Sequence, residues 1–315
     1  MFKNIEKEDI TLIDSLNIQQ IRSSRQKGEI VSSEKSFENK DVDSLLKDDI
    51  VHQFYKLPKY YDIAFTRNIK DDVIFFEYCF QRYSDIVVKR VLEPACGSGM
   101  FLECLPKYGF HVLGYDLSSA MVEYVKEKLR FSGFTIDQTD IIEGNMKNIR
   151  FDNKFDAAFI CINSLGYLRS NADISSHFRA MAESLRKGGI YIVEISCKCE
   201  DIKNEKKPDD IWYVQENNID LELTWAIKWY DVENRIRNVD FRMLVKDNGN
   251  EFLIEEEHEL RLWIFDDFKY FANSNGFEIV GIYNQNYEQI SEDIPITGEL
   301  GSLFFILKNI GNEEI

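Results

Sequence analysis

The stretch VLEPACGSGMFLECL, residues 91–105, sets a carboxylate, Glu93, just ahead of a run of small side chains, Ala95, Gly97, Ser98 and Gly99. Apolar residues then resume at helical spacing through Phe101, Leu102 and Leu105. A strand that ends in small residues and opens a helix leaves N–H groups aimed at a ligand. Glycine lets that ligand touch the main chain, since no Cβ intervenes. A plain tight turn is the competing explanation. The dinucleotide fingerprint G-x-G-x-x-G is completed in neither register, because position 102 is Leu and Ala95 stands two residues before Gly97. A nicotinamide or flavin cofactor is therefore disfavoured. No Lys-Ser or Lys-Thr follows, which excludes a Walker loop.

The elements that must position these residues alternate regularly. VVKRVLEPA reads as a strand, SGMFLECLPKYG as a helix closing at Gly109, HVLGYD as a strand, and SSAMVEYVKEKLRFSG as a helix with a serine start and a glycine end. After IDQTDIIEGN come the strand KFDAAFICIN, the helix DISSHFRAMAESLRKGG and the strand IYIVEIS. Apolar strands separated by amphipathic helices indicate βα units on a parallel sheet buried on both faces. Beyond Cys199 the pattern changes to long alternating strands, WYVQENNIDLELTWAIKWYD, RIRNVDFRMLV and FLIEEEHELRLW, the last two joined at a hairpin signal, Asn248-Gly249. A helix, FDDFKYFANSNG, and two closing strands, FEIVGIYN and GSLFFILKN, complete the chain. The expected divisions are a polar extension over 1–50, a ligand-binding core with preceding helices over 51–199, an antiparallel β insertion over 200–260, and the rest of the core over 261–315.

Acid, one residue, then Ala-Cys-Gly-Ser-Gly resembles motif I of the class I, Rossmann-like, S-adenosylmethionine-dependent methyltransferases. HVLGYDLSSAMVEYVKEK is similar to the family's second-strand segment, IIEGNMKNI to its adenine loop, and FDAAFICINSLGYL to its fourth strand and active-site mouth. YYDIAFTRNIKDDVIFF resembles the helices that precede motif I in small-molecule methyltransferases. The resemblance covers residues from about 60 to 196 and again from about 258 to 308. It implies an α/β fold, doubly wound, with a mostly parallel seven-stranded sheet, an antiparallel insertion and an N-terminal helical lid. The implied cofactor is S-adenosyl-L-methionine. Glu93 would meet the methionine amino group, and Ala95, Gly97 and Gly99 would form the cradle. Asp116 would hold the ribose hydroxyls, since a carboxylate can accept from a vicinal diol, with Leu117 beside it. Asn145 and Met146 would contact adenine, Ile162 would line the same site, and Tyr60 would belong to a lid. Each has a plainer alternative: Glu93 a surface acid, Asp116 a cap for the helix beginning at Ser118, Gly144-Asn145 an ordinary turn, and the tyrosines core. Met100 stands where many relatives carry Arg, so a carboxylate clamp there is not implied.

A sulfonium carries its own leaving group, so the implied reaction is in-line displacement, driven by holding nucleophile, methyl carbon and sulfur in a dry pocket. Candidates for the acceptor side are Tyr61 near the sulfonium, Asn163 past a strand's C-terminal end, and His258. By period two, His258 shares a face with Phe252, Ile254, Glu256, Leu260 and Leu262, and Arg261 lies on the opposite face. His258 is either structural or the acceptor of the proton lost by a methylated group. The 23 Phe and 15 Tyr suit an aromatic enclosure for a cation.

A net charge of −17 disfavours nucleic-acid partners, and no basic face offsets it; the densest cluster, Lys203–Lys207, is broken by an acid. No apolar run approaches the ~20 residues of a membrane span. MFKNIEKEDI has no secretory apolar core, and the cysteines sit mostly in core-like runs without a metal set, so cytoplasmic thiols are expected. The favoured activity is methylation of a small molecule, nitrogen slightly ahead of oxygen, with a homodimer through the β insertion conceivable. Competing readings are a catalytically silent cofactor-binding partner subunit and an RNA or protein methyltransferase; the absence of N/D-P-P-Y argues against base amino groups.

Overall fold

The computed structural model describes residues 52–198, 210–291 and 293–311. The polar extension, the Lys203–Lys207 cluster and Cys199 lie outside the described residues.

A short turn, Gln53–Lys56, leads into α1 (Pro58–Phe65), whose proline takes a first-turn position where its missing N–H costs nothing. Next is α2 (Lys70–Tyr83), with Asp71 and Asp72 in its first turn, a favourable place against the helix dipole. β1 (Arg90–Pro94) runs into α3 (Met100–Cys104), shorter than its pattern predicts because Pro106 diverts the chain into a 3-10 turn ended by left-handed Gly109. There follow β2 (His111–Asp116), α4 (Ser119–Ser132) with Ser118 as its cap, β3 (Thr139–Glu143), β4 (Phe155–Ile160), α5 (Asn171–Ser184) and β5 (Leu185–Lys198). The sequence pattern carries the α5 helix on to Gly189, but strand geometry begins at Leu185, which is buried and in register with Phe155.

The insertion is a four-stranded antiparallel sheet: β6 (Asp210–Glu216), β7 (Ile219–Asp231), β8 (Ile236–Asp247) and β9 (Asn250–Arg261). The one long strand expected from Trp212 onward is two, broken at Asn217, whose φ of 54° only a turn accommodates readily. Asn248 and Gly249, at φ 51° and 88°, make the expected hairpin. The chain closes with β10 (Trp263–Ile264), α6 (Phe265–Ser274), β11 (Phe277–Tyr283) and β12 (Ser302–Asn309).

The main sheet has the order β11-β12-β5-β4-β1-β2-β3, with β10 also paired to β5. From β3 to β5 all neighbours are parallel, and β12 runs antiparallel to both β5 and β11. This is the expected doubly wound sheet. One face is packed by α2, α3 and α4 through Phe76, Phe101 and Val125, and the other by α5 and α6 through Phe178 and Phe268. A third cluster joins Phe54 and Ile63 to Leu223, Phe241 and Met243, so the first turn and α1 are pinned to the inner face of the insertion. Strand order reverses at β1, which lies between β2 and β4. Ligands of such sheets bind outside the strand ends at that reversal.

Candidate functional site

A cavity of about 1710 Å³ opens there, bounded by the strand ends, the turn Gln53–Lys56, α1 and the inner face of the insertion. Ala95, Gly97, Asp116, Leu117, Asn145, Met146, Ile162, Asn163 and Tyr61 all line it. Three residues of the loop after β1 are left-handed: Ala95 at φ 51°, Gly97 at 53° and Gly99 at 74°. The loop is held from β2, since Asp116 Oδ2 accepts from the Gly97 N–H (2.9 Å) and Oδ1 from the Ser118 N–H (2.9 Å). Asp116 therefore both shapes the loop and caps toward α4, with further lone pairs for a diol. Burial raises its carboxyl's pKa, and those N–H bonds oppose the rise. A Cβ on Gly97 would lie 3.1 Å from the Tyr61 ring, so the lid tyrosine rests on the glycine itself.

Glu93 is buried and its Oε2 has no hydrogen-bond partner. Burial, reinforced by the Asp116 charge, pushes its carboxyl well above the usual range. An orphaned buried carboxyl fits a ligand that brings a cationic amino group. Leu117 and Ile162, 42% and 38% exposed, both line the cavity and offer apolar faces to a flat ring. The loop after β3 is braced from within: Asn145 Oδ1 accepts from the Lys147 N–H at 2.9 Å. At the end of β4, Ile162 and Asn163 are both left-handed, at φ 55° and 54°. Glu194 Oε2 accepts the Ile162 N–H (3.0 Å), and Asn163 Oδ1 accepts the Ser196 N–H (3.3 Å). Non-glycine residues keep such conformations where neighbours over-determine them, commonly at functional sites.

Residues 91–189 match the family described as methyltransferase domain. YqeM of Bacillus subtilis (strain 168), provisionally named a methyltransferase, is 27% identical over 192 residues, 60% of this chain and 74% of that protein. The dTDP-3-amino-3,4,6-trideoxy-alpha-D-glucopyranose N,N-dimethyltransferase of Streptomyces venezuelae is 29% identical over 104 residues, 33% of this chain and 41% of that protein. The fold is shared with an S-adenosylmethionine-dependent methyltransferase from Clostridium acetobutylicum ATCC 824, at TM-score 0.64 and 20% identity over 82% of this chain and 99% of that one. Residues 91–189 are a methyltransferase domain, and the fold is that of the class I S-adenosylmethionine-dependent methyltransferases.

The methyltransferase's cofactor is S-adenosyl-L-methionine, and the residues present fit it: Ala95, Gly97, Leu117 and Ile162 line one cavity, the orphaned Glu93 lies buried in the strand that leads to it, and Gly99 stands off the cavity, its missing Cβ making room for Val125. The same cavity carries an acceptor side that the sequence reading only touched. His258 does not line it. The histidine is fully buried on β9, stacked at 3.9 Å on His52, so it cannot meet a substrate directly. It is instead the third member of a chain. Glu256 accepts from His258 Nε2 at 3.0 Å; His258 Nδ1 meets the Tyr167 hydroxyl at 2.7 Å; Tyr167 meets the Tyr55 hydroxyl at 2.6 Å. Glu256 also accepts the Gln53 N–H (2.8 Å) and the Phe54 N–H (3.4 Å), which marks it as an acceptor and puts the imidazole proton on Nε2. Nδ1 must then accept from Tyr167, and Tyr167 from Tyr55. Tyr55 and Tyr167 line the cavity and carry this chain to its wall. Burial, before any other cause, raises the pKa of both phenols, so they stay neutral.

His52, Glu256 and His258 offer ligand atoms within 4.8 Å of one another. Both nitrogens of His258 are engaged, however, and stacked rings aim their in-plane lone pairs side by side rather than at one point. Tyr60 is a second correction. Its phenol donates to Asp247 Oδ2 (2.9 Å) and its ring meets Phe252 edge-on, so it docks the lid to the insertion and leaves the cavity to Tyr61. Residues one apart on a helix point about 100° apart, and only one of two adjacent tyrosines can face inward.

Sequence reasoning missed Tyr55, Tyr167, Glu194, His177 and the role of Ser118. His177 Nδ1 donates to the Met146 carbonyl (2.7 Å) and Nε2 accepts from the Tyr191 hydroxyl (2.8 Å), so α5 holds the loop that bears Asn145 and Met146. Burial pulls the imidazole down to about 4, which keeps it neutral. The signal was there: His177 sits on the apolar stripe of α5, beside Ile174, Phe178 and Met181. Ser118 Oγ donates to the Tyr55 carbonyl (2.8 Å), tying the first turn to the cofactor side.

Proposed function

We propose that this methyltransferase moves the methyl group to a small-molecule acceptor, at nitrogen in preference to oxygen, by in-line displacement. The observation that carries the reading is one cavity of about 1710 Å³ that reaches from the Gly97 cradle to the Tyr55–Tyr167 wall. A single ligand commonly fills roughly 300–1,000 Å³, so this volume suits the cofactor and a modest acceptor together. A nucleic acid is disfavoured by the net charge of −17. Nitrogen is favoured because acids outnumber Lys and Arg on the cavity walls by seven to four, an excess that draws a cationic amine toward the site. The Streptomyces venezuelae relative, by its name, dimethylates the nitrogen of an amino sugar.

When bound, the cofactor supplies a methyl group on a positively charged sulfur. The protein's part is to hold, to exclude water and to move one proton. Tyr61, Phe65, Tyr55 and Trp225 line the cavity and give a cation faces to lie against. Asn163, fixed by Ser196, shapes the mouth beyond β4. An amine drawn in as ammonium must lose a proton before its nitrogen lone pair can form the N–C bond as the methyl leaves sulfur. Tyr55 oxygen takes that proton while its own passes to Tyr167 and the Tyr167 proton passes to His258 Nδ1. The imidazolium so formed lies against Glu256, and both phenols end neutral. Tyr55 thus touches the reacting group, and His258 acts through it.

The test is a panel of small amines, amino sugars among them, with matched hydroxyl compounds, followed by release of S-adenosylhomocysteine. Turnover of amines above their hydroxyl counterparts is expected. A protein that binds S-adenosylmethionine yet turns over no small acceptor would sink the proposal in favour of the silent partner subunit.

A further inference from the structure

Arg237 sits near the start of β8 on the face that carries Val239, Phe241, Met243 and Val245, all fully buried. Alternation therefore turns its side chain inward, and its cross-strand neighbours are Tyr230 on β7 and Leu260 on β9. The side chain lines the cavity, and its Nε is buried without a hydrogen-bond partner. Among the described residues Arg237 has no ion pair. The contrast with nearby cations is sharp: Arg169 pairs with Glu259, Arg235 with Asp267, and Lys147 with Asp173. The closest acid on the same inward face, Glu256, is already committed to Gln53, Phe54 and His258. Burial depresses the basicity of Arg237, with the phenols of Tyr230 and Tyr167 as the only neighbours that offset it.

A guanidinium partly withdrawn from water, its Nε buried and without a counter-charge, destabilises the fold, and an apolar residue would suit this face better. The chain has 55 acids to its 38 basic residues, so a partner carboxylate would be simple to encode. Its omission leaves the fork of N–H donors for a ligand, and that fork matches carboxylate and phosphate oxygens two at a time.

We propose that Arg237 is the anion subsite of the acceptor pocket: the methyl acceptor carries a carboxylate or phosphoryl group that the guanidinium grips while its nucleophilic atom faces Tyr55. This rests on the small-molecule reading above. Tyr167 joins the two ends, since it belongs to the proton chain and also bears on the Arg237 charge.

The full chain, saturated with S-adenosylhomocysteine, is titrated calorimetrically with inorganic pyrophosphate in one arm and malonate in the other, for wild type, Arg237→Met and Arg237→Lys. Wild type is expected to bind one of the two at a single site, which assigns phosphoryl or carboxylate. Arg237→Met should weaken that binding at least tenfold and Arg237→Lys by less. S-Adenosylhomocysteine affinity should be the same in all three proteins. Without anion, Arg237→Met should melt at a higher temperature than wild type, and anion should raise the wild-type midpoint alone. A structural arginine would show the opposite order of melting. Failure of both anions to bind wild type, or equal binding by Arg237→Met, overturns the inference. Anion binding that depends on Arg237, with every acceptor inert, would instead count against the small-molecule reading and leave the subsite standing.

Discussion

At the level of single residues, Glu93 and Asp116 hold unequal carboxylates. Asp116 already accepts two backbone N–H groups, whereas Glu93 Oε2 accepts nothing and its carboxyl is held well above the usual range by burial. A cationic amino group arriving beside Glu93 favours the charged form and must drive its proton off. Binding of S-adenosylmethionine should therefore release a proton at a pH below the raised value, and affinity should rise with pH through it. Calorimetry in buffers of different ionisation enthalpy measures this, and Glu93→Gln should abolish the release. Asp116→Asn keeps the size but loses the charge behind the loop and diol bonds; a loss of about 2 kcal/mol, or roughly 30-fold in cofactor Kd, is expected. On the acceptor side, Tyr55→Phe and His258→Gln should each lower kcat on the order of 10²-fold with cofactor Kd unchanged. The fall for His258→Gln should shrink as pH rises, because a deprotonated acceptor has no proton to hand over.

Among the elements, the turn Gln53–Lys56 is the piece on which both halves of the site depend. It is tied to β9 by Glu256, to the start of α4 by the bond from Ser118 to the Tyr55 carbonyl, and to the turn after β4 by Tyr167. Ser118→Ala removes that tie and the α4 cap in one step. A cap costs about 1 kcal/mol and a hydrogen bond about as much, so we expect roughly 2 kcal/mol less stability. Cofactor dissociation followed by stopped flow should also be faster, since the lid loses a fastening. Gly97→Ala works from beneath: a left-handed alanine costs about 1–2 kcal/mol, and its Cβ would press the Tyr61 ring at 3.1 Å. The parts of this arrangement differ in how far the sequence announces them. β1 to β5 and their helices follow from period and from glycine and serine punctuation, because each element buries a continuous stripe. The Asn217 break is marked only by a change of phase, from Trp212 and Val214 to Ile219, Leu221 and Leu223, and with no glycine or proline beside it the polar run over 215–218 passes for part of one strand. Tyr55 lies in a four-residue turn with no period to read, and Tyr167 in another. Both acquire meaning only from Glu256 and His258, some 200 and 90 positions away along the chain. Arg237 was legible in principle, as a cation on the buried phase of a strand, yet its lack of a partner is a property of three dimensions.

For the molecule as a whole, two buried groups near the cofactor pull pH stability in opposite directions. Glu93, with its raised pKa, favours the folded chain at low pH and weakens it as pH rises through that value. His177, lowered from 6.5 to about 4, does the reverse. The unfolded chain takes up a proton at His177 below about pH 6.5 and the folded chain refuses it until about 4. Stability from this residue is therefore complete above 6.5 and drains away as pH falls toward 4. A shift of that size corresponds to about 3 kcal/mol. Urea denaturation from pH 7 to 4 should show His177→Gln losing less stability over that interval than wild type. Glu93→Gln should move the curve the other way, gaining over wild type most where the carboxylate is charged. Protonation of His177 adds its proton at Nε2 and so displaces the bond donated by the Tyr191 hydroxyl, while the Nδ1–H bond to the Met146 carbonyl persists. The adenine-side loop thus stays held down to about pH 4, and cofactor affinity in wild type should fall between pH 7 and 4 by no more than proton release at Glu93 accounts for. An extra fall in wild type that disappears in His177→Gln would show instead that the Tyr191 bond at Nε2, and not the Met146 bond alone, keeps α5 and that loop in place.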